Sequence, residues 1–202
     1  MLLTITQAIV LFAATNIDHL LVLTLLFAHG AHRAHTFRQI MLGQYIGFGA
    51  MLGVITLAAF GIIRLLPPWI APWFSLIPLF IGVRAAWKTW RSSGEDDDDE
   101  LGEVAERIEG KPLSVALIAA ITFANGGDEI GVYLPVFVQA EPWQIAVYLI
   151  VFLLLVTPVV HLARFITSRK PIAEALERWE TVLFPAVLIA LGIIILATGL
   201  IG

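Results

Sequence analysis

The sequence contains no cysteine among its 202 residues. This absence excludes disulfide bonds, thiol redox chemistry and any metal site built on thiolates. Charged residues are scarce, at 14%, and no basic stripe of the kind that binds nucleic acid is present. The chain also lacks a Gly-rich phosphate-binding loop, so we do not expect the protein to use ATP, and any transport would depend on an ion gradient. We expect no prosthetic group.

Apolar residues are what the sequence has in abundance: they make up 59% of it, and the mean hydropathy is +0.89. This composition predicts an integral membrane protein with the lipid bilayer as its surroundings. The first apolar run follows Met1-Leu2-Leu3-Thr4, with no positive charge of the kind that precedes the apolar region of a secretory signal. We therefore expect this run to be a membrane span.

Six apolar runs are each near the length of about 20 residues that a bilayer requires. They cover residues 4–28, 37–63, 70–90, 113–138, 143–168 and 181–201. The sequence therefore predicts an all-α membrane protein of six transmembrane helices. We divide it into two three-helix units, residues 1–91 and 112–202, joined by an acidic linker at residues 92–111.

An internal repeat supports this division. A shift of 110 residues superposes Asp18 on Asp128, and it also pairs Ala14 with Ala124, Val22 with Val132, Trp69 with Trp179 and Gly82 with Gly192. Each half has three spans, an odd number, so the second half must be inverted in the membrane. Inverted repeats with broken helices and a midplane site are common in secondary transporters. Chance similarity between apolar segments is the alternative.

The distribution of basic residues predicts the orientation of the chain in the membrane. Lysine and arginine follow the first, third and fifth spans, which places those loops in the cytoplasm and both termini outside it, in an inner or plasma membrane. Nine acids lie between Glu95 and Glu109, in the cytoplasmic linker. Such a block predicts a disordered, solvated connection, and a role in collecting cations is the alternative.

Two carboxylates stand inside apolar runs, Asp18 and Asp128, and a charge in hydrocarbon costs several kcal/mol, which makes each a candidate functional residue. Gly126, Gly127 and Pro135 weaken the helix around Asp128, and a broken helix is tolerated where it lines a cavity. We predict a divalent metal site formed by two carboxylates and two neutral amide oxygens, from Asp18, Asp128, Asn16 and Asn125. A structural hydrogen bond is the alternative for either aspartate.

Other polar residues in the spans are secondary candidates. His19 and Glu129 follow the two aspartates, and one interpretation is that they pair with each other. The alternative is that they bind the metal or couple its movement to protons, and Thr15 is a further candidate for metal binding or proton coupling. Pathway candidates are Gln44, Tyr45 and His161, the last near the Thr157-Pro158 pair. Glycines at small-xxx-small spacing predict close helix packing: Gly43, Gly47, Gly49 and Gly53.

Two segments of the chain resemble the bacterial cadmium resistance transporter family, which belongs to the lysine exporter superfamily. They are Thr15-Asn16-Ile17-Asp18 and the stretch from Ala124 to Phe137, with a further likeness at residues 78–82. The resemblance implies a membrane exporter of divalent cations. The family typically has a second Asp where His19 stands and an Asn where Glu129 stands, so the cation stays open among cadmium, manganese, calcium and zinc.

The sequence as a whole predicts a carrier that exports a divalent cation in exchange for protons. Export of a cationic amino acid is one alternative, and a membrane-embedded metal-dependent enzyme is another, although no His-Glu-x-x-His motif is present. The expected partners are the metal ion, protons and lipid. Glycine-rich helix faces permit a homodimer without requiring one.

Overall fold

The computed structural model describes residues 1–30, 35–65 and 97–167, with isolated positions between 67 and 87 and at 189 and 193. Every regular element in this part of the chain is a helix. The spans predicted at 70–90 and 181–201 lie almost entirely outside it, as do the repeat matches that fall on them. The all-helical class is therefore confirmed over the described ranges, and the six-span arrangement stays a prediction.

Seven helices occupy the described ranges. They are α1 (Leu2–Thr15), α2 (Ile17–His29), α3 (Thr36–Leu65), α4 (Asp97–Ile108), α5 (Val115–Asn125), α6 (Gly127–Gln139) and α7 (Pro142–Thr167). α3 and α7 are each long and apolar enough to cross a bilayer. α1 with α2, and α5 with α6, form two bent pairs that each qualify as one broken span. The described ranges thus hold two to four candidate membrane spans.

The two bent pairs break at equivalent places. α1 and α2 meet at Asn16 with a bend of 57°, and α5 and α6 meet at Gly126 with a bend of 69°. The second break lies 110 residues after the first, and so do the helix boundaries on either side of it. The shift that superposes the two aspartates therefore also superposes the two breaks.

A pair of glycines marks where the second broken span turns. A Cβ at Gly126 would collide with the sulfur of Met51, whose flexible side chain would have to move aside. Pro135 was expected to contribute to the break, yet α6 continues through it. Neighbouring helices and small backbone adjustments accommodate proline inside membrane helices, which is why the break falls at the glycines instead.

The two long helices pack mainly on the broken span of the other half of the chain. α3 lies along α5 and α6, and α7 lies along α1 and α2, while α3 and α7 also touch each other. The described helices therefore form two bundles, which we name the α1/α2/α7 bundle and the α3/α5/α6 bundle. Each bundle contains helices from both halves of the chain.

Two glycines of α3 explain its close approach to α5. A Cβ at Gly43 would lie 2.6 Å from Ile118, and one at Gly47 would lie 2.6 Å from the carbonyl oxygen of Ala119. Both distances are shorter than carbon and oxygen atoms allow, so the packing requires glycine at each position. The prediction of close packing is confirmed here, whereas a Cβ at Gly49 or Gly53 would meet open space.

The acidic linker is more ordered than its charge predicted. Residues Asp97–Ile108 form α4, which packs on α2 and buries Val104 and Ile108. Disorder was the wrong expectation for this segment, because apolar residues recur along it at helical spacing beneath the charge.

The glycine contacts generate a test of the α3–α5 packing. We expect Gly47→Ala to lower stability by about 1–3 kcal/mol, because its methyl group meets backbone that cannot move aside. Gly53→Ala is the matched control, since it lies on the exposed side of the same helix and gains only helix propensity. Thermal unfolding of the purified variants in detergent measures the difference. Equal midpoints for the two variants would contradict the packing.

Candidate metal site at the two helix breaks

Each candidate aspartate is the second residue of the helix that follows a break. Asp18 occupies this position in α2, and Asp128 occupies it in α6. Amide groups in the first turn of a helix lack intrahelical partners and create a positive potential that favours a carboxylate. The side chains of both aspartates lie outside the described set, so their meeting at one site stays a prediction.

Asn16 forms the first break, and its side chain joins a hydrogen-bonded chain that crosses to α6. Its Nδ2 donates to the carbonyl oxygen of Phe12 at 3.0 Å and to the hydroxyl of Tyr133 at 3.1 Å. The Tyr133 hydroxyl also lies 2.5 Å from Oγ1 of Thr15, which donates to the carbonyl oxygen of Leu11. Asn16, Thr15 and Tyr133 are all buried, so these bonds satisfy polar groups in an apolar interior.

His19 belongs to a second polar chain, which links three helices. Its Nε2 lies 2.5 Å from Nε2 of Gln44 on α3, and Oε1 of Gln44 accepts a hydrogen bond of 2.8 Å from Thr122 on α5. All three side chains are buried. Gln44 therefore connects the region after the first break to the region before the second. Metal binding through Nε2 of His19 would require Gln44 to move.

Asn125 and Glu129 flank the second break. Glu129 is buried on α6, with only 3% of its surface exposed. The side-chain nitrogen of Asn125 is buried and has no hydrogen-bond partner among the described residues. The amide nitrogen at this point could donate to a neighbouring carboxylate. If the amide were rotated by 180°, its oxygen would occupy the same point and could bind a cation.

The described side chains do not by themselves complete a metal site. No group of three or more His, Asp or Glu side chains comes together among them, a statement that does not extend to Asp18 and Asp128. Eight polar residues are buried in the described part of the chain, and six of them lie at the breaks or bridge them: Thr15, Asn16, His19, Gln44, Thr122 and Glu129. The described buried polar groups are thus concentrated at the two breaks.

The other two pathway candidates lie at a different contact between the bundles. The hydroxyl of Tyr45 bonds to Oγ1 of Thr157 at 2.7 Å and to the carbonyl oxygen of Leu153 at 3.1 Å. His161 is exposed, and its Nδ1 donates to the carbonyl oxygen of Thr157. The two bonds of Tyr45 connect α3 to α7 beside Pro158, where the helix lacks one of its own amide donors. No described bond joins either residue to the breaks.

Two residues of the polar network had no role assigned from the sequence. Tyr133 and Thr122 both fall within the stretch from Thr122 to Pro135, where the charged residues and the glycines give the stronger sequence signal. A buried tyrosine or threonine in an apolar span must find a hydrogen-bond partner, and this requirement is the signal that marks both. Their partners are on other helices, which the sequence does not reveal.

The His19–Gln44–Thr122 chain predicts a specific loss of stability. Gln44→Leu leaves Thr122 without its acceptor and His19 without its amide partner, so we expect a cost of about 1–3 kcal/mol. Gln139→Leu is the control, because its amide bonds only to Pro135 within its own helix. Thermal unfolding in detergent compares the two. A loss for Gln44→Leu no larger than that for the control would show that the chain does not stabilise the breaks.

Comparison with known proteins agrees with this arrangement. The sequence model of the family described as Cadmium resistance transporter matches residues 12–200, nearly the whole chain and both helix breaks. No curated protein and no solved structure matches the chain. With its apolar helices, the match indicates an integral membrane protein of a transporter family. The chain therefore belongs to the cadmium resistance transporter family.

Proposed function

We propose that the protein exports a divalent metal cation, held between Asp18 and Asp128. The observation that carries this proposal is the concentration of buried polar side chains at two equivalent helix breaks, each followed by an aspartate. Two carboxylates balance the charge of a divalent cation, and a bound cation removes the cost of leaving either one unpaired in an apolar interior. Asn16 and Asn125 would add neutral oxygens.

The donor set favours hard or borderline cations. Carboxylate and amide oxygens suit manganese and calcium, and an imidazole would extend the set toward zinc and cadmium. His19 and Glu129 stand where the family pattern has a second Asp and an Asn, so this chain differs from the family close to the site. We therefore propose cadmium, manganese, calcium and zinc as the cations to be tested. They are transported substrates and not resident cofactors.

Exchange for protons is the proposed driving force. Carboxylates that release a cation outside the cell can take up protons there and carry them inward, which returns the carrier without an unpaired charge in the membrane. His19, Glu129 and Thr15 are the proposed residues for metal contact or proton coupling, because they adjoin the two breaks. Export of a cationic amino acid remains the second candidate, since two acids would also hold an ammonium or guanidinium group.

The two helical bundles suggest how access would alternate. Two sets of described bonds between them lie at the breaks, those from Tyr133 to Thr15 and Asn16 and the one from Gln44 to His19. The bonds of Tyr45 to α7 join the bundles at a separate place. Rocking of the α1/α2/α7 bundle against the α3/α5/α6 bundle would therefore rearrange contacts around the site itself. Each proposed moving unit contains helices from both halves of the sequence.

Removing either proposed ligand tests the site. In proteoliposomes supplied with one cation at a time, we expect Asp18→Asn and Asp128→Asn each to raise the KM for cation flux by roughly 100-fold or more, because the remaining carboxylate balances only one of the two charges of the ion. Glu106→Gln, an exposed acid on α4, controls for the loss of one negative charge. Normal transport by both Asp variants would rule out the site.

The absence of cysteine makes the orientation directly testable. Glu106→Cys and Glu141→Cys each introduce a single thiol at an exposed position, on α4 and between α6 and α7. We propose a cytoplasmic α4 and an extracytoplasmic residue 141, so a membrane-impermeant maleimide should label Glu141→Cys in intact cells and Glu106→Cys only after permeabilisation. The reverse labelling pattern would invert the proposed topology.

A further inference from the structure

Tyr133 occupies an unusual place for a tyrosine in an apolar span. It is fully buried on α6, five residues after Asp128, and its ring packs on Phe152 with ring centres 4.7 Å apart. Its hydroxyl is directed away from its own helix, to the break of the first span. Tyr133 therefore contacts one break while it belongs to the helix that follows the other.

Two described groups lie within hydrogen-bond distance of this hydroxyl. Oγ1 of Thr15 is 2.5 Å away, and either hydroxyl of that pair can be the donor. Nδ2 of Asn16 can only donate, so the Tyr133 oxygen accepts from it at 3.1 Å. The hydroxyl of Tyr133 thus links α6 to the Asn16 amide at the first break.

The contacts of Nδ2 set the orientation of the Asn16 side chain. Nδ2 donates to the carbonyl oxygen of Phe12, which can only accept, and it also reaches the hydroxyls of Tyr133 at 3.1 Å and Thr15 at 3.3 Å. Turning the amide over would lose the bond to Phe12 and place two oxygens against each other. Its oxygen, Oδ1, accepts no hydrogen bond in any described contact, so it is held ready to receive a ligand beside the backbone of Asp18.

We propose that Tyr133 is a positioning residue, which orients the Asn16 carboxamide so that its oxygen binds the transported cation. This inference rests on the proposed function, because it requires a cation at the first break. The hydroxyl of Tyr133 does not touch the cation itself. It accepts a hydrogen bond from the amide nitrogen of Asn16, and this bond restricts rotation of the side chain.

Tyr133→Phe removes only the hydroxyl and keeps the ring in contact with Phe152. We expect the KM for the cation to rise about three- to tenfold with little change in maximal rate, since one hydrogen bond to the oriented amide is lost. Tyr148→Phe is the matched control: its ring also packs on Phe152, but its hydroxyl bonds to Gln7, far along α1 from the break. The control should stay within about twofold of the wild type by the same bond energies.

The measurement is flux into proteoliposomes with whichever of cadmium, manganese, calcium or zinc the wild type carries. An unchanged KM for Tyr133→Phe, or a fall in maximal rate and thermal stability with KM unchanged, would overturn the positioning role. Wild-type protein that carries none of the four cations would instead overturn the proposed function, and the inference with it. The two failures are therefore distinguishable.

A double-mutant comparison asks whether Tyr133 acts through Asn16. Calorimetric titration of the same cation into Asn16→Ala, with and without Tyr133→Phe, compares the two affinities directly. If Tyr133 acts by orienting the amide, the tyrosine substitution has no further effect once Asn16 is removed. A full additional three- to tenfold loss in the Asn16→Ala background would show that Tyr133 acts by another route, and it would overturn the inference.

Discussion

The need to satisfy backbone and side-chain polar groups in an apolar interior is the constraint on which this structure depends. A continuous helix meets that need by itself, but the two broken spans cannot, because each break exposes amides and carbonyls at a helix end. Polar side chains gather where the backbone is interrupted. Asn16 donates to the last turn of α1, and Gln44, Tyr133 and Thr122 reach the same region from other helices.

The same polar groups lie between the two helical bundles, so stability and proposed transport depend on the same contacts. A fully apolar interface would hold the bundles together more strongly and would provide no ligand for a cation. A polar interface supplies ligands, and its hydrogen bonds can exchange partners. Close packing is concentrated inside one bundle, at Gly43 and Gly47, where α3 meets α5. Tight contacts within a bundle and polar contacts between bundles are the combination that a rocking carrier requires.

The acidic linker illustrates how charge can hide a structural pattern. Its acids dominated the sequence and predicted disorder, yet Val104 and Ile108 lie on one side of a helix that packs on α2. Burying these two side chains gives the segment a fixed position. Because α2 also carries Asp18, α4 packs on an element of the proposed site.

The sequence by itself determined the helical class, the membrane environment and the family, because hydropathy and short motifs are local properties. It also pointed to the region of both breaks, through the glycines near Asp128 and the repeat that carries Asp18. Only the tertiary structure decided that Tyr133 bonds to Asn16, that Gln44 bridges His19 and Thr122, and that each bundle combines helices from both halves of the chain. Those facts depend on which helices are neighbours, and contacts between residues 25 to 117 positions apart leave no periodic signal in one sequence.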